Sequence, residues 1–162
     1  KNGGVSRYEK IPIYLKYCNQ EVNSDNINYY LKKFSDIATN LVIDSKWVPG
    51  FKDFFKKLKH KENIYIVSAA PEKEIQIISN AIGLEIPISN IFGSPNSKTA
   101  NISSFLRIKN KNDYIFFGDS YSDASAAANC LIDFAYRSYP LNFYKKPDYF
   151  TYTFSDFRNE IN

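Results

Sequence analysis

The sequence predicts an α/β fold built on an open parallel sheet, because short apolar runs and amphipathic helices alternate along most of the chain. The candidate strands are the runs 64–67, 91–93, 114–117, 134–136 and 148–150. The most apolar of these runs lack alternating polar residues, which is typical of strands covered by helices on both faces. Regular alternation of strands and helices favours parallel pairing with right-handed crossovers.

The helices between these runs have recognisable start and stop residues. Pro49–Gly50 precedes one helix, Pro71 opens the next in a favoured first-turn position, and Gly83 ends it. Lys98 stands near the start of a third helix. Residues 47–162 are therefore expected to form the α/β core.

Residues 1–46 are predicted to form a small helical unit. Ser6 has the side chain of an N-cap for a helix that ends near Cys18, and Ser24 or Asp25 starts a second helix. The second helix carries a continuous apolar stripe of residues three or four apart: Ile27, Tyr30, Leu31, Phe34, Ile37, Ala38 and Leu41. Two amphipathic helices without a strand make a subdomain rather than an independent fold.

Composition narrows the functional classes. With 162 residues, 44% of them hydrophobic, the chain suits one ordinary domain with a real core. The net charge of +4 is spread over helix faces, so we predict no nucleic-acid partner. Cys18, Cys130 and one histidine show no metal-ligand spacing, which indicates reduced thiols and a cytoplasmic location. No apolar run approaches a membrane span and no signal peptide is visible, so no membrane partner is predicted.

The most informative stretch is the buried run 114–117 followed by Gly118, Asp119 and, four residues on, Asp123. Gly118 allows a sharp turn at the end of the strand, and Ser120 can cap the next helix. Asp119 and Asp123 then lie about one helical turn apart on the same side. Two such carboxylates suit a hard cation such as Mg²⁺. The alternative is that both simply cap and solvate the start of a helix.

Two further polar residues occupy equivalent places. Ser68 follows one strand, and Lys98 opens a helix after another. Because the carboxyl ends of parallel strands form one rim, Ser68, Lys98 and Asp119 are expected to converge there. A hydroxyl, an ammonium and a carboxylate pair suit a phosphate group held against Mg²⁺. Taken singly, Ser68 could be a helix cap and Lys98 a surface lysine.

In these features the chain resembles the haloacid dehalogenase-like (HAD) superfamily, and within it the phosphatases related to phosphoglycolate phosphatase. The family's second motif, a hydrophobic strand ending in Ser or Thr, is matched by 64–68. Its third, a lysine at a helix start, is matched by Lys98, and its fourth by Gly118-Asp119 and Asp123. The resemblance implies a Rossmann-like three-layer sandwich with a parallel sheet, plus a small helical cap at 1–46. The segment 3–10 is similar to one bacterial branch of the family.

One departure from the family pattern matters more than the matches. The first family motif, Asp-x-Asp at the end of the first strand, carries the nucleophile and is found nowhere in this sequence. In the family that strand is central, lying between the strands that end here at Ser68 and Gly118. The chain also begins without Met. We therefore expect residues 1–162 to be the remainder of a longer protein, lacking the first strand of the core and inactive alone.

For the intact protein the resemblance implies a Mg²⁺-dependent phosphomonoester hydrolase that acts on a small phosphorylated metabolite through an aspartyl-phosphate. Asp119 and Asp123 would bind the metal, and Ser68 and the Ala69 amide would hold a phosphoryl oxygen. Lys98 would balance charge on the transferring group. Two residues of the helical unit, Arg7 and Lys10, are a hypothesis for substrate contacts, and solvated helix charges are their alternative role.

Other functions stay open at this point. A dehalogenase proper needs no metal, so the acidic pair favours a phosphatase. A phosphomutase is possible. From a different class, a non-catalytic HAD-like domain that binds a phosphorylated ligand or a protein partner agrees directly with the missing nucleophile. The substrate and the oligomeric state are not predicted by the sequence.

Overall fold

The computed structural model describes residues 6–107, 109–139 and 146–158. Within these ranges the chain is an α/β protein, and every strand pairs in parallel with its neighbour. The predicted class is therefore confirmed at this level. None of the described helices is long and apolar enough to cross a membrane.

The helical unit consists of α1 (Arg7–Tyr17) and α2 (Ser24–Ile43). The side chain of Ser6 caps α1 as predicted, by accepting a hydrogen bond from the backbone of Tyr8. The cap of α2 is Asn23 rather than Ser24 or Asp25, because the extended backbone of Asn23 lets its side chain reach the N–H of Asn26.

The apolar stripe of α2 is only partly covered. No residue of α2 is fully buried, and Ile37 and Leu41 are 60% and 66% exposed. The helix packs against α1 and against a helix of the core, residues Glu72–Ala81. The described residues therefore leave much of the predicted stripe open.

The core follows the predicted alternation of helices and strands. Its elements in order are α3 (Phe51–Lys57), β1 (Ile66–Pro71), α4 (Glu72–Ala81), β2 (Ile91–Ser94), α5 (Lys98–Leu106), β3 (Ile115–Gly118), α6 (Tyr121–Cys130), β4 (Asp133–Arg137) and β5 (Tyr152–Phe154). Single 3₁₀ turns precede β1, β2 and β3. Alternating elements thus produce the parallel pairing expected of them.

Two strand boundaries differ from the prediction. The first strand extends to Pro71, because Pro71 pairs with Ser94 of β2 beyond an irregularity in the ladder. Ser68 and Ala69 therefore lie inside β1, and Pro71 precedes α4 instead of starting it. The apolar run in the sequence indicates only the part of the strand that is most buried. It does not predict the register shift between Val67 and Pro71, which depends on pairing with β2.

The last strand was predicted at 148–150 and is found at Tyr152–Phe154. Thr151 sets this register, since its backbone N–H donates to the carbonyl of Phe134 and its hydroxyl accepts from the Phe134 N–H. Tyr149 uses its side chain instead, donating from its hydroxyl to the carbonyl of Ile132 at 2.8 Å. The segment 148–150 thus contributes the Tyr149 ring to the core and precedes the strand instead of forming it.

The strands form two small sheets, one in the order β1-β2 and the other in the order β3-β4-β5. No ladder joins β1 to β3 among the strands that the structure describes. Central β4 is buried, whereas β1 and β3 are largely half-exposed. The break lies between β1 and β3. In the family that the chain resembles, one further strand lies between the two corresponding strands.

The core is centred on α6 and β4. A cluster of buried side chains joins them to α5: Ile102, Ala124, Ala126, Ala127, Ile132, Phe134 and Tyr136. Three alanines of α6, Ala124, Ala126 and Ala127, are 2% exposed or less, so their small size lets the helix approach the sheet closely. This packing holds the first turn of α6, which carries the candidate site residues, against the ends of the strands.

Candidate functional site

Contacts at both ends of the strands show that the strands of the two sheets run in the same direction. Lys98, which follows β2, donates to Asp123, which follows β3, with 2.5 Å between Nζ and Oδ1. At the opposite end, Tyr65 before β1 and Tyr114 before β3 place their ring centroids 5.8 Å apart. The carboxyl ends of β1, β2 and β3 therefore share one rim, as expected of parallel strands.

Asp123 is the most highly connected residue of this rim. Its Oδ2 accepts hydrogen bonds from the Ser120 hydroxyl at 2.6 Å, the Ser120 N–H at 3.0 Å and the Asp119 N–H at 3.3 Å. Together with the bond from the Asp123 N–H to Ser120 Oγ, this is a complete capping box. Oδ1 receives Lys98, so donors occupy both carboxylate oxygens. Asp123 therefore takes part in the capping box of α6, and the binding of a metal ion by Asp123 stays a prediction.

Gly118 makes this arrangement possible by leaving room. A Cβ on Gly118 would lie 2.5 Å from Cβ and 2.7 Å from Oδ2 of Asp123. The expected sharp turn is not the reason for glycine, because Gly118 does not adopt positive φ. The close approach of the Asp123 carboxylate to the strand end requires it instead.

Lys98 is the first residue of α5, whose N-cap Ser97 accepts from the Ala100 N–H at 3.1 Å. A cation at a helix amino end is disfavoured by the helix dipole, so another interaction must hold Lys98 there. That interaction is the Asp123 carboxylate, with a second bond from Nζ to Ser122 Oγ at 3.1 Å. The Lys98 side chain is only 12% exposed, and the ammonium is thus fixed at the rim.

Ser68 and Ala69 reach the same rim from β1. The Ser68 hydroxyl accepts from the Ala70 N–H at 3.1 Å, and both residues are half-buried. The helix that follows, α4, has no side-chain cap. Uncapped N–H groups at a helix start are suited to an anion.

Asp119 is exposed at the rim, and two tyrosines that the sequence analysis missed lie beside it. Burial raises the pKa of Tyr136 above its ordinary value of 10.0, and the negative charge of Asp119 raises it further. Burial raises the pKa of Tyr139 in the same way, and its phenol hydrogen-bonds Asp119. Tyr136 pairs with Gly118 in the ladder, near the carboxyl end of β4. Because the carboxyl ends of parallel strands lie at one rim, the sequence could have indicated Tyr136 as a rim residue.

Ser94 adds an unsatisfied hydroxyl at the end of β2. Its Oγ is buried and has no hydrogen-bond partner, alone in this respect among the buried side-chain atoms of the described residues. A buried hydroxyl without a partner costs stability and calls for an explanation. Its position at the carboxyl end of a strand places it at the same end of the sheet as Lys98.

Some but not all of the acidic residues at the rim are suited to binding a magnesium ion. No group of three His, Cys, Asp or Glu side chains that could hold a metal occurs in the described part of the chain. Mg²⁺ commonly uses one or two carboxylates, with waters and substrate phosphate as its other ligands. Asp119 fits as one such carboxylate, whereas both oxygens of Asp123 are already bonded.

Arg7 and Lys10, the two residues of the helical unit proposed as substrate contacts, have different surroundings. The Arg7 guanidinium is 7% exposed and forms an ion pair with Glu74, in the first turn of α4. Lys10, three residues further along α1, is half-buried. The structure thus gives Arg7 a protein partner, and substrate contact by either residue stays a prediction.

Comparisons with known proteins add no identity: no family model, curated protein or solved structure matches this chain. The resemblance to the HAD superfamily therefore rests on the motifs alone.

Proposed function

We propose that this protein is a Mg²⁺-dependent phosphomonoester hydrolase of the HAD type, with a Rossmann-like sandwich as its core. Its substrate would be a small phosphorylated metabolite, and the attacking aspartate would lie outside residues 1–162. The observation that carries the proposal is the fixed ammonium of Lys98, held by Asp123 next to Asp119 at the end of parallel strands. A buried cation beside an exposed carboxylate is suited to a phosphate group and its counterion.

Each rim residue then has a defined task. Lys98 neutralises negative charge that accumulates on the phosphoryl oxygens, and its low exposure strengthens this interaction. Ser68 donates its hydroxyl to a phosphoryl oxygen while it accepts from Ala70, and the Ala69 N–H approaches from the same strand. Asp123 keeps Lys98 in place and does not contact the substrate.

Asp119 is the residue that would hold the metal. When bound, Mg²⁺ would supply charge stabilisation to the phosphoryl oxygens. Tyr139, bonded to Asp119, would orient the carboxylate. Metal ligands commonly depend on such outer partners.

The nucleophile is the missing part of this proposal. The break between β1 and β3 is where a further strand would bring an aspartate between Ser68 and Asp119. Covalent catalysis needs that group, because the side-chain hydrogen bond that Ser68 forms among the described residues is to a backbone N–H and not to a general base.

A second candidate is a non-catalytic domain that binds a phosphorylated ligand at the same rim. The absence of Asp-x-Asp from the sequence favours it. Both candidates use Lys98 and Ser68, but only the first requires turnover.

The test is the substitution Asp119→Asn in the natural full-length protein. We expect it to abolish Mg²⁺-dependent hydrolysis of p-nitrophenyl phosphate and to leave the circular dichroism spectrum unchanged, since Asp119 is exposed. The matched control is Asp113→Asn, an exposed aspartate at the other end of β3, which should keep full activity.

Full activity of Asp119→Asn would contradict the phosphatase assignment. If the unmodified protein shows no turnover but binds phosphate or vanadate, and Lys98→Gln removes that binding, the non-catalytic candidate is the correct one.

A further inference from the structure

A buried ion pair joins the helical unit to the core. Arg7 donates from Nη1 to Oε1 of Glu74 and from Nη2 to Oε2 at 2.7 Å, so the contact is bidentate. Nη1 also donates to Ser35 Oγ at 2.7 Å, and the guanidinium lies 4.7 Å from the ring centroid of Phe34. One side chain of α1 thereby contacts both α2 and α4.

The geometry of this pair is specific to arginine. A planar guanidinium matches both carboxylate oxygens at once, which a lysine ammonium cannot do. Arg7 and Glu74 are 7% and 9% exposed, so each depends on the other to offset the cost of burying its charge. Removing one partner leaves an uncompensated buried charge.

The pair also lies close to the rim. Glu74 stands in the first turn of α4, the helix that follows β1 and its residues Ser68 and Ala69. Arg7 is the first residue of α1, so the amino end of α1 is held beside the amino end of α4. The carboxyl end of β1 opens at this same place, which puts the helical unit at the border of the rim.

We propose that the Arg7–Glu74 pair sets the position of the helical unit, α1 with α2, at the border of the rim, and that Arg7 is a positioning residue. Its Nη groups are engaged by Glu74 and Ser35, so Arg7 acts on the reaction through the placement of α1 and not by contact with the substrate. The effect on catalysis rests on the proposed function, whereas the mechanical role does not.

The experiment compares Arg7→Lys, Glu74→Gln and the double variant in the natural full-length protein. Each single change should lower Tm by about 5 °C and speed amide exchange of α1 and α2 about tenfold or more, with β4 unaffected. The double variant should be no worse than Glu74→Gln, because that single variant has already lost the bidentate contact. For p-nitrophenyl phosphate we expect KM to rise about tenfold while kcat stays within about threefold.

The control is Arg158→Lys, the same change in a bidentate pair with Asp156 that lies at the surface, where Arg158 is 67% exposed. It should alter neither Tm nor KM. Additive effects of the two single variants, or unchanged exchange in α1 and α2, would overturn the proposal.

A fall in Tm with exchange raised but KM unmoved would overturn the positioning role and leave a purely structural pair. A lack of turnover in the unmodified protein would contradict the phosphatase assignment, and the exchange measurement would still decide whether the pair holds the helical unit.

Discussion

At the scale of single residues, the geometry of the rim depends on the Asp123 carboxylate, whose two oxygens both accept hydrogen bonds from protein donors. Asp123 is 6% exposed, yet it accepts from two backbone N–H groups, one hydroxyl and one ammonium. A buried charge of this kind is tolerated only when it is fully paired. Asp123 therefore serves the site indirectly, by fixing the strand end and Lys98 relative to each other.

The substitution Asp123→Ala should accordingly destabilise the fold by about 3 kcal/mol, because it removes the side-chain half of the capping box and leaves the Lys98 ammonium buried without its carboxylate partner. Urea unfolding followed by tyrosine fluorescence measures the change. Asp25→Ala, which removes an exposed aspartate from the first turn of α2, should stay within about 0.5 kcal/mol. Equal effects of the two substitutions would contradict the role given to Asp123.

At the scale of elements, α6 shows how small side chains position a site. Ala124, Ala126 and Ala127 form a buried face that packs against Ile102 and Phe134. The helix lies close to β3 and β4, so its first turn reaches the strand ends where Asp119 stands. Close helix-to-sheet packing is the physical basis of the rim geometry.

Enlarging that face should be costly. Ala127→Leu adds three carbons where the alanine is fully buried, and we expect a loss of about 2 kcal/mol in the free energy of unfolding. Ser125→Leu, on the exposed face of the same helix, is the matched control and should change stability by less than about 0.5 kcal/mol. Thermal denaturation of both variants provides the comparison, and tolerance of Ala127→Leu would show that α6 packs more loosely than described.

At the scale of the whole molecule, the division of the strands into two sheets is the main feature. Among the strands that the structure describes, β4 has a hydrogen-bonded neighbour on each side, whereas β1 and β3 each have one. Unpaired strand edges expose backbone groups and favour association with other strands. The stability of the polypeptide is therefore expected to be uneven, with β4 as its most protected part.

A polypeptide of residues 1–162 alone should be catalytically inactive and prone to aggregate, with a broad thermal transition. In hydrogen-exchange mass spectrometry, amides of β1 and β3 should exchange at least about tenfold faster than those of β4. A sharp cooperative transition, equal protection of β1, β3 and β4, and turnover of p-nitrophenyl phosphate by this polypeptide would contradict the expectation.

The sequence by itself determined the features that depend on neighbours along the chain. The alternation of apolar runs and helices, the caps at Ser6 and Ser120, and the position of Lys98 at a helix start all follow from local geometry. Local signals were weaker at boundaries, as the misplaced last strand shows, because ladder register depends on the partner strand.

Only the tertiary structure decided which distant residues meet. The convergence of Lys98 with the acidic residues was expected from the shared ends of parallel strands, but the choice of Asp123 as its partner was not. Arg7 and Glu74 are 67 residues apart, and no pattern in the sequence indicates that they pair. The tertiary structure alone likewise decided the engagement of both Asp123 oxygens and the tyrosines beside Asp119, whereas a gap between β1 and β3 was expected from the family resemblance. These contacts arise from packing and burial, which select partners by proximity in the folded state.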